Sequence, residues 1–225
     1  QIEVMIELLQ QTKLGTYDYI SIISGDDLPL KTDVKIKEFL EENSGKEFIG
    51  IQKNNDKLED RVKYLYNNFY FKKNRYFFEK IYVYMQSKSK LYKKNPYYKD
   101  LPKLYKGSNW FTITSKLRDY ILDYIEKNPN YVKAFEKSLC CDEVFFQTIV
   151  YNSPYLENIY NEKENNDNLN SLRYIDWESG PEYPKVLVEE DFNKIKKSNC
   201  LFARKFNKNI NLDKYREIFQ NKNIN

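Results

Sequence analysis

The chain has no histidine in 225 residues. This excludes Ser-His and Cys-His nucleophilic catalysis and any histidine-ligated metal, so proton transfer must fall to Asp, Glu, Lys, Tyr or Cys. Glycine is scarce, at six residues, and no Gly-rich phosphate loop is present. The three cysteines, Cys140, Cys141 and Cys200, form an odd set without framework spacing. That argues for a reducing compartment, and the adjacency of Cys140 and Cys141 leaves no C-x-x-C metal pair. All three are read as structural thiols. No stretch has the length of a transmembrane helix or the pattern of a signal peptide. Charge of one sign is also lacking: 37 basic against 33 acidic residues leave +4, which fits a small anionic ligand and does not call for nucleic acid.

What is present is apolar and aromatic. Hydrophobic residues make up 41% and charged residues 31%, the balance of a globular chain, and the length fits a single domain over 1–225. The 21 Tyr and 14 Phe bring large apolar area, the tyrosines with a polar tip that suits sugars and other flat ligands. They fit an ordinary core equally well.

The chain is organised around LCCDEVFFQTIV at 139–150. Asp142 is expected to cap a helix, with Glu143 in the first turn and the pairs Phe145/Ile149 and Phe146/Val150 forming an apolar face. A carboxylate is thereby held at the edge of a buried helix, where it can face a cleft. Acids in a first turn also suit the helix dipole without any further role.

In chain order, 2–13 reads as a short amphipathic helix and 17–24, YDYISIIS, as a strand covered on both faces. Asp26 and Asp27 follow, then a helix from Thr32 or Asp33, then a strand at 48–52: a β–α–β unit of an α/β sheet. Residues 53–106 mix Lys, Tyr, Phe and Asn. They are expected to form a twisted hairpin with a solvated Lys face, with a short strand at 81–84, although basic and aromatic interleaving also suits a glycan groove or single-stranded nucleic acid. GSNWFTIT at 107–114 reads as a strand, Ser115 as the cap of a helix to about Lys127, 130–137 as a short helix, 161–170 as a polar, mobile loop, 172–177 as a strand, and 190–197 and 212–219 as helices. The tail beyond is Asn/Lys-rich.

Five segments in order, SGDDLPLKT (24–32), GSNWFTIT (107–114), DEVFFQT (142–148), LRYIDW (172–177) and LFARKF (201–206), resemble the core-2/I-branching N-acetylglucosaminyltransferases and the related peptide O-xylosyltransferases. The likeness runs from about 17 to 207. It implies a GT-A-type, Rossmann-like mixed sheet flanked by helices, here without the N-terminal strands that carry much of the nucleotide-base pocket. It also implies an inverting transfer from a UDP-sugar, with a GlcNAc- or xylose-like group, to a glycan hydroxyl, with no metal and no cofactor. The catalytic base then matches Glu143, and the cations at the diphosphate match Arg173 and Lys205, with Arg204 as the alternative to Lys205. Sugar contacts are placed at Asp26, Asp27, Asp142, Trp110, Arg61 and Tyr64; Trp110 fits the core as well.

The physics agrees. A carboxylate takes the proton of the attacking hydroxyl, and fixed cations stabilise the leaving diphosphate. Two other readings stand beside this one. Asp26 and Asp27 suggest the D-x-D metal site of other GT-A enzymes, but they are adjacent, and DD before Leu-Pro also serves as a turn. The Tyr/Lys segment suggests a non-catalytic glycan- or nucleic-acid-binding module. A cytoplasmic, bacterial enzyme is expected, able to associate peripherally with the inner face of the membrane.

Overall fold

The computed structural model of the chain describes residues 1–53, 58–89, 91–164 and 166–220. The Asn/Lys-rich tail expected at 221–225 lies outside the described residues. The elements are α1 (Ile2–Gln11), β1 (Tyr19–Ser21), β2 (Leu28–Pro29), α2 (Asp33–Glu42), α3 (Leu58–Lys63), β3 (Tyr64–Leu65), α4 (Phe77–Ser89), β4 (Lys93–Lys94), β5 (Thr112–Thr114), α5 (Ser115–Lys127), α6 (Pro129–Phe135), α7 (Asp142–Tyr151), α8 (Asp167–Asn170), β6 (Arg173–Ile175), α9 (Phe192–Lys196), β7 (Phe202–Arg204) and α10 (Leu212–Phe219). Short mixed sheets are flanked by helices, an α/β arrangement consistent with the GT-A type.

β1 pairs antiparallel with β5, Ile20 opposite Ile113. In the second sheet β7 is central, antiparallel to β2 and parallel to β6. β3 and β4 form a small antiparallel pair. The main core gathers Leu9, Ile20, Ile113, Leu117, Ile121, Phe145 and Phe146 around the first sheet. A second cluster, with Leu187, Phe192, Ala203, Phe206 and Tyr215, covers the other sheet.

Several expectations are corrected. The run at 17–24 is not covered on both faces. Ile20 and Ile22 are buried whereas Ser21 and Ile23 face out, so the strand alternates in the ordinary way of a half-buried sheet. The strand expected at 48–52 reduces to one antiparallel bridge, Phe48 to Thr112, after which Gln52 turns to the Lys106 carbonyl. The strand expected at 81–84 lies inside α4: its Ile, Tyr and Val suit a strand, but their neighbours complete a helical repeat. Among the described residues, the hairpin expected in 53–106 reduces to β3 and β4, with α4 between its arms. The loop at 161–170 ends in α8, capped by Asn166, whose side chain accepts the Asn168 and Leu169 N–H groups. The cap of α5 is Thr114 rather than Ser115; its hydroxyl accepts the Leu117 N–H at 3.1 Å.

Candidate active site

α7 is anchored by its own sequence. Every residue from Val144 to Tyr151 is buried, so the helix cannot roll without exposing Phe145 or Phe146. Its first two residues, Asp142 and Glu143, are left at the surface. Cys141 occupies the cap position without a side-chain cap, and Asp142 instead accepts from Asn109 Nδ2 at 2.5 Å. This corrects the expected capping role of Asp142: a buried amide reaches it from the neighbouring loop. Glu143, about two-fifths exposed, receives Arg61 Nη1 at 2.9 Å and faces Lys106 Nζ at 3.4 Å.

The loop at 107–110 is stitched to this helix. Gly107 donates its N–H to the Glu143 carbonyl at 2.8 Å, and Gln147 Nε2 donates to the Ser108 carbonyl at 2.5 Å. Glycine is required at 107, because a Cβ there would stand 2.0 Å from the Gly50 carbonyl oxygen. Lys106 also donates to Gln52 Oε1 at 2.8 Å, and Gln52 reaches Asp167 at 3.4 Å. Burial pushes the Asp167 carboxyl above its ordinary value, opposed by the Gln52 bond and the Lys106 charge.

The same loop carries Trp110 to a second cluster. Arg204 lies over the Trp110 ring, its guanidinium carbon 3.3 Å from the centroid, and donates from Nε to Asp27 Oδ1 at 2.9 Å. The other Asp27 oxygen accepts the Ser24 N–H at 3.0 Å, and the Ser24 hydroxyl donates to Oδ1 at 2.8 Å. Asp27 is thus enclosed, and Arg204 is locked between a carboxylate and an indole face. Lys205 points the other way. Its side chain is nearly half exposed and its ammonium stands 4.0 Å from Asp26. Of the two adjacent cations, Arg204 is the inner one and Lys205 the outer.

Arg173 is enclosed. It donates to the Ser171 carbonyl at 2.7 Å, to Thr112 Oγ1 at 3.1 Å and to the Phe111 carbonyl at 3.3 Å, over the Phe202 ring. Desolvation lowers it to about 10, with Asp27 acting against the shift, so the guanidinium remains charged at neutral pH. It ties β6 to β5, joining the two sheets beneath the Asp27–Arg204 pair.

Asp26, Asp27, Trp110, Arg204 and Lys205 therefore come together as one group, with Arg173 beneath. Arg61 and Glu143 form another, and the loop at 107–110 links the two through Asn109 and Asp142. Tyr64 packs its ring against Tyr92 at 5.5 Å, with Lys63 over its face. Sequence reasoning missed Lys106, Gln52, Asn109 and Asp167; the adjacency of Lys106 to the Gly-Ser turn was the signal available for the first. A groove of about 760 Å³ beside Tyr17, Tyr19, Ile36 and Leu40 includes none of the expected site residues. Among the described residues, no helix is long and apolar enough to cross a membrane.

Comparison with known proteins agrees with the first four of the ordered motifs, LFARKF at 201–206 lying beyond the matched residues. The sequence model of the Core-2/I-Branching enzyme family matches residues 3–196. The chain is 30% identical over 106 residues to beta-glucuronosyltransferase GlcAT14B of Arabidopsis thaliana, a match taking in 46% of this chain and 23% of that protein. It is 31% identical over 106 residues to GlcAT14A of the same plant, covering 46% of this chain and 22% of that protein. The match thus spans under a quarter of the length of these curated relatives. With the match to the family running through nearly the whole chain, from α1 to α9, this protein belongs to the Core-2/I-branching enzyme family, the glycosyltransferase family that its five motifs resemble.

Proposed function

We propose that the chain carries the acceptor-side chemistry of an inverting, metal-independent transfer from a UDP-sugar to a glycan hydroxyl, with Glu143 as base. The observation that supports this most is the position of Glu143, surface-accessible at the mouth of a helix fixed by burial, and joined through one short loop to a cluster of cations. Glu143 takes the proton of the acceptor hydroxyl as that oxygen attacks the anomeric carbon. The bond from that carbon to the diphosphate breaks on the opposite face, which inverts the centre. Lys205, nearly half exposed with its ammonium beside Asp26, meets the charge growing on the leaving diphosphate. Arg204 and Arg173 stand behind it, contributing fixed positive charge and holding the strands that present it. Arg61 and Lys106 flank the base and orient it, and the acceptor hydroxyl enters beside them. Asp26 and Trp110 border the donor sugar.

A metal-dependent reading would need Asp27 as a ligand, but its carboxylate is taken by Arg204 and Ser24, which favours the metal-free route. The donor is GlcNAc- or xylose-like by resemblance, whereas the names of the Arabidopsis relatives point to a glucuronosyl group.

Titration of UDP, UDP-GlcNAc, UDP-xylose and UDP-glucuronic acid into the full chain, in EDTA and then in manganese, tests the reading. Binding in EDTA that weakens in Lys205→Ala is expected. Glu143→Gln should lower transfer by about 10²–10⁴-fold with nucleotide affinity kept. Normal turnover of that variant sinks the base assignment, and binding only with manganese moves the site to Asp26 and Asp27.

A further inference from the structure

The segment 72–94 carries eight Lys and Arg against one acid, Glu79, whereas the remaining residues carry 29 against 32. The chain's positive balance is therefore set by this one stretch. Its helix, α4, is also turned inside out. The only residue of α4 that is buried is Glu79, which receives Lys72 Nζ at 2.5 Å and the Tyr76 N–H at 2.9 Å. Phe77 is 78% exposed, Phe78 67% and Met85 63%, with Ile81 and Tyr84 beside them and Leu91 just beyond the helix. Phe77, Ile81, Tyr84 and Met85 recur at i, i+4, i+7 and i+8, which places them on one face. Lys73, Lys80, Lys88, Lys93 and Lys94 are exposed around it. A helix that buries its acid and turns its aromatics to solvent is not packed for a core.

We propose that this face docks on a bilayer surface rich in anionic lipid. The apolar side chains enter the headgroup boundary, and the surrounding lysines meet the negative surface. The positive ring that suits anionic lipid opposes a second copy of the chain, because two such faces would bring their lysines together. The aliphatic members, Ile81, Met85 and Leu91, favour lipid over single-stranded nucleic acid, which rewards stacking on flat rings. The inference rests on the charge and burial of this face, not on the sugar-transfer reading.

Sedimentation of the full chain with vesicles of phosphatidylcholine alone, and of phosphatidylcholine mixed with phosphatidylserine, tests it. Binding to the mixed vesicles that falls steeply with salt is expected. Phe77→Ser with Phe78→Ser should weaken it by roughly a hundredfold, at about tenfold per side chain. Lys73→Gln with Lys80→Gln should weaken it by about tenfold or more. These residues are exposed, so the variants should fold, and their unchanged melting would show it. Three results overturn the proposal: equal affinity of variants and wild type for the mixed vesicles, self-association abolished by the same substitutions without vesicle binding, or binding of single-stranded RNA in place of vesicles.

Discussion

α4 and α7 each hold an acid in the first turn, and they are built in opposite senses. α7 buries everything after its first two residues and leaves Asp142 and Glu143 at its mouth. α4 buries its acid and leaves nearly everything else outside. An acid near a helix start therefore says little by itself; what the rest of the helix packs against decides its use. In α7, Phe145 sits 4.9 Å from Tyr131, 5.2 Å from Phe135 and 5.1 Å from Phe146. That aromatic knot fixes where Glu143 can be. In α4, Glu79 fastens the helix through Lys72, and the apolar side chains remain available to a partner.

The comparison breaks most visibly in the core. Phe145→Ala removes a fully buried ring and should cost about 3–5 kcal/mol, read by urea unfolding. A loss under about 1 kcal/mol would mean that α7 is not the fixed element described. Arg173→Ala comes next, at about 3 kcal/mol, because it opens a cavity and takes its donor from the Ser171 carbonyl, while the Phe111 carbonyl keeps the Ile22 N–H and the Thr112 hydroxyl keeps Ser21. If the variant is as stable as wild type but binds UDP more weakly, Arg173 belongs to the donor and not to the frame.

Glu47 sharpens the comparison as an acid fully enclosed within the sheet. Its carboxylate accepts the Thr114 N–H at 2.8 Å and the Thr114 hydroxyl at 2.5 Å. Desolvation raises its pKa above the ordinary value, and those two bonds oppose the shift. The folded state therefore keeps this proton to higher pH than the unfolded chain does. The contribution is whole below the ordinary Glu pKa and is lost as pH rises through the raised one. Stability measured across that window should slope downward in wild type and flatten in Glu47→Gln. An identical slope in both would remove Glu47 from the account.

The elements legible in the sequence were those with a long, clean repeat: α7, α10 and the spine of α5, where apolar spacing and packing agree. Strands were legible in place but not in extent, because β1 and the Phe48 bridge are set by pairing with β5, and pairing is not written locally. α4 departs from its local sequence signal for a physical reason. Its exposed Ile81, Tyr82 and Tyr84 look like strand residues only if apolar side chains are assumed to seek a core. For the site, the family resemblance pointed to Glu143, Arg173 and Lys205, and the residues themselves to Asp26, Asp27 and the adjacent Arg204 and Lys205, but not to which of those two cations faces inward; the Trp110 ring and Asp27 hold Arg204 there. Lys106, Gln52 and Asp167 come from three distant stretches, and only the fold brings them together.

The smallest expected effect is the most direct check of the contrast. Phe78→Ala makes in α4 the change that Phe145→Ala makes in α7. Phe78 is 67% exposed, whereas Phe145 is fully buried. The substitution removes little buried area and leaves no cavity, so stability should stay within about 0.5 kcal/mol of wild type. Alanine's higher helix propensity acts in the stabilising direction. Urea unfolding of the two variants side by side should therefore separate them by several kcal/mol, for one and the same chemical change. A large loss at Phe78 would mean that its ring is covered in solution. The outward face of α4 would then already have an occupant within this chain, and its lysines would no longer surround an open apolar surface.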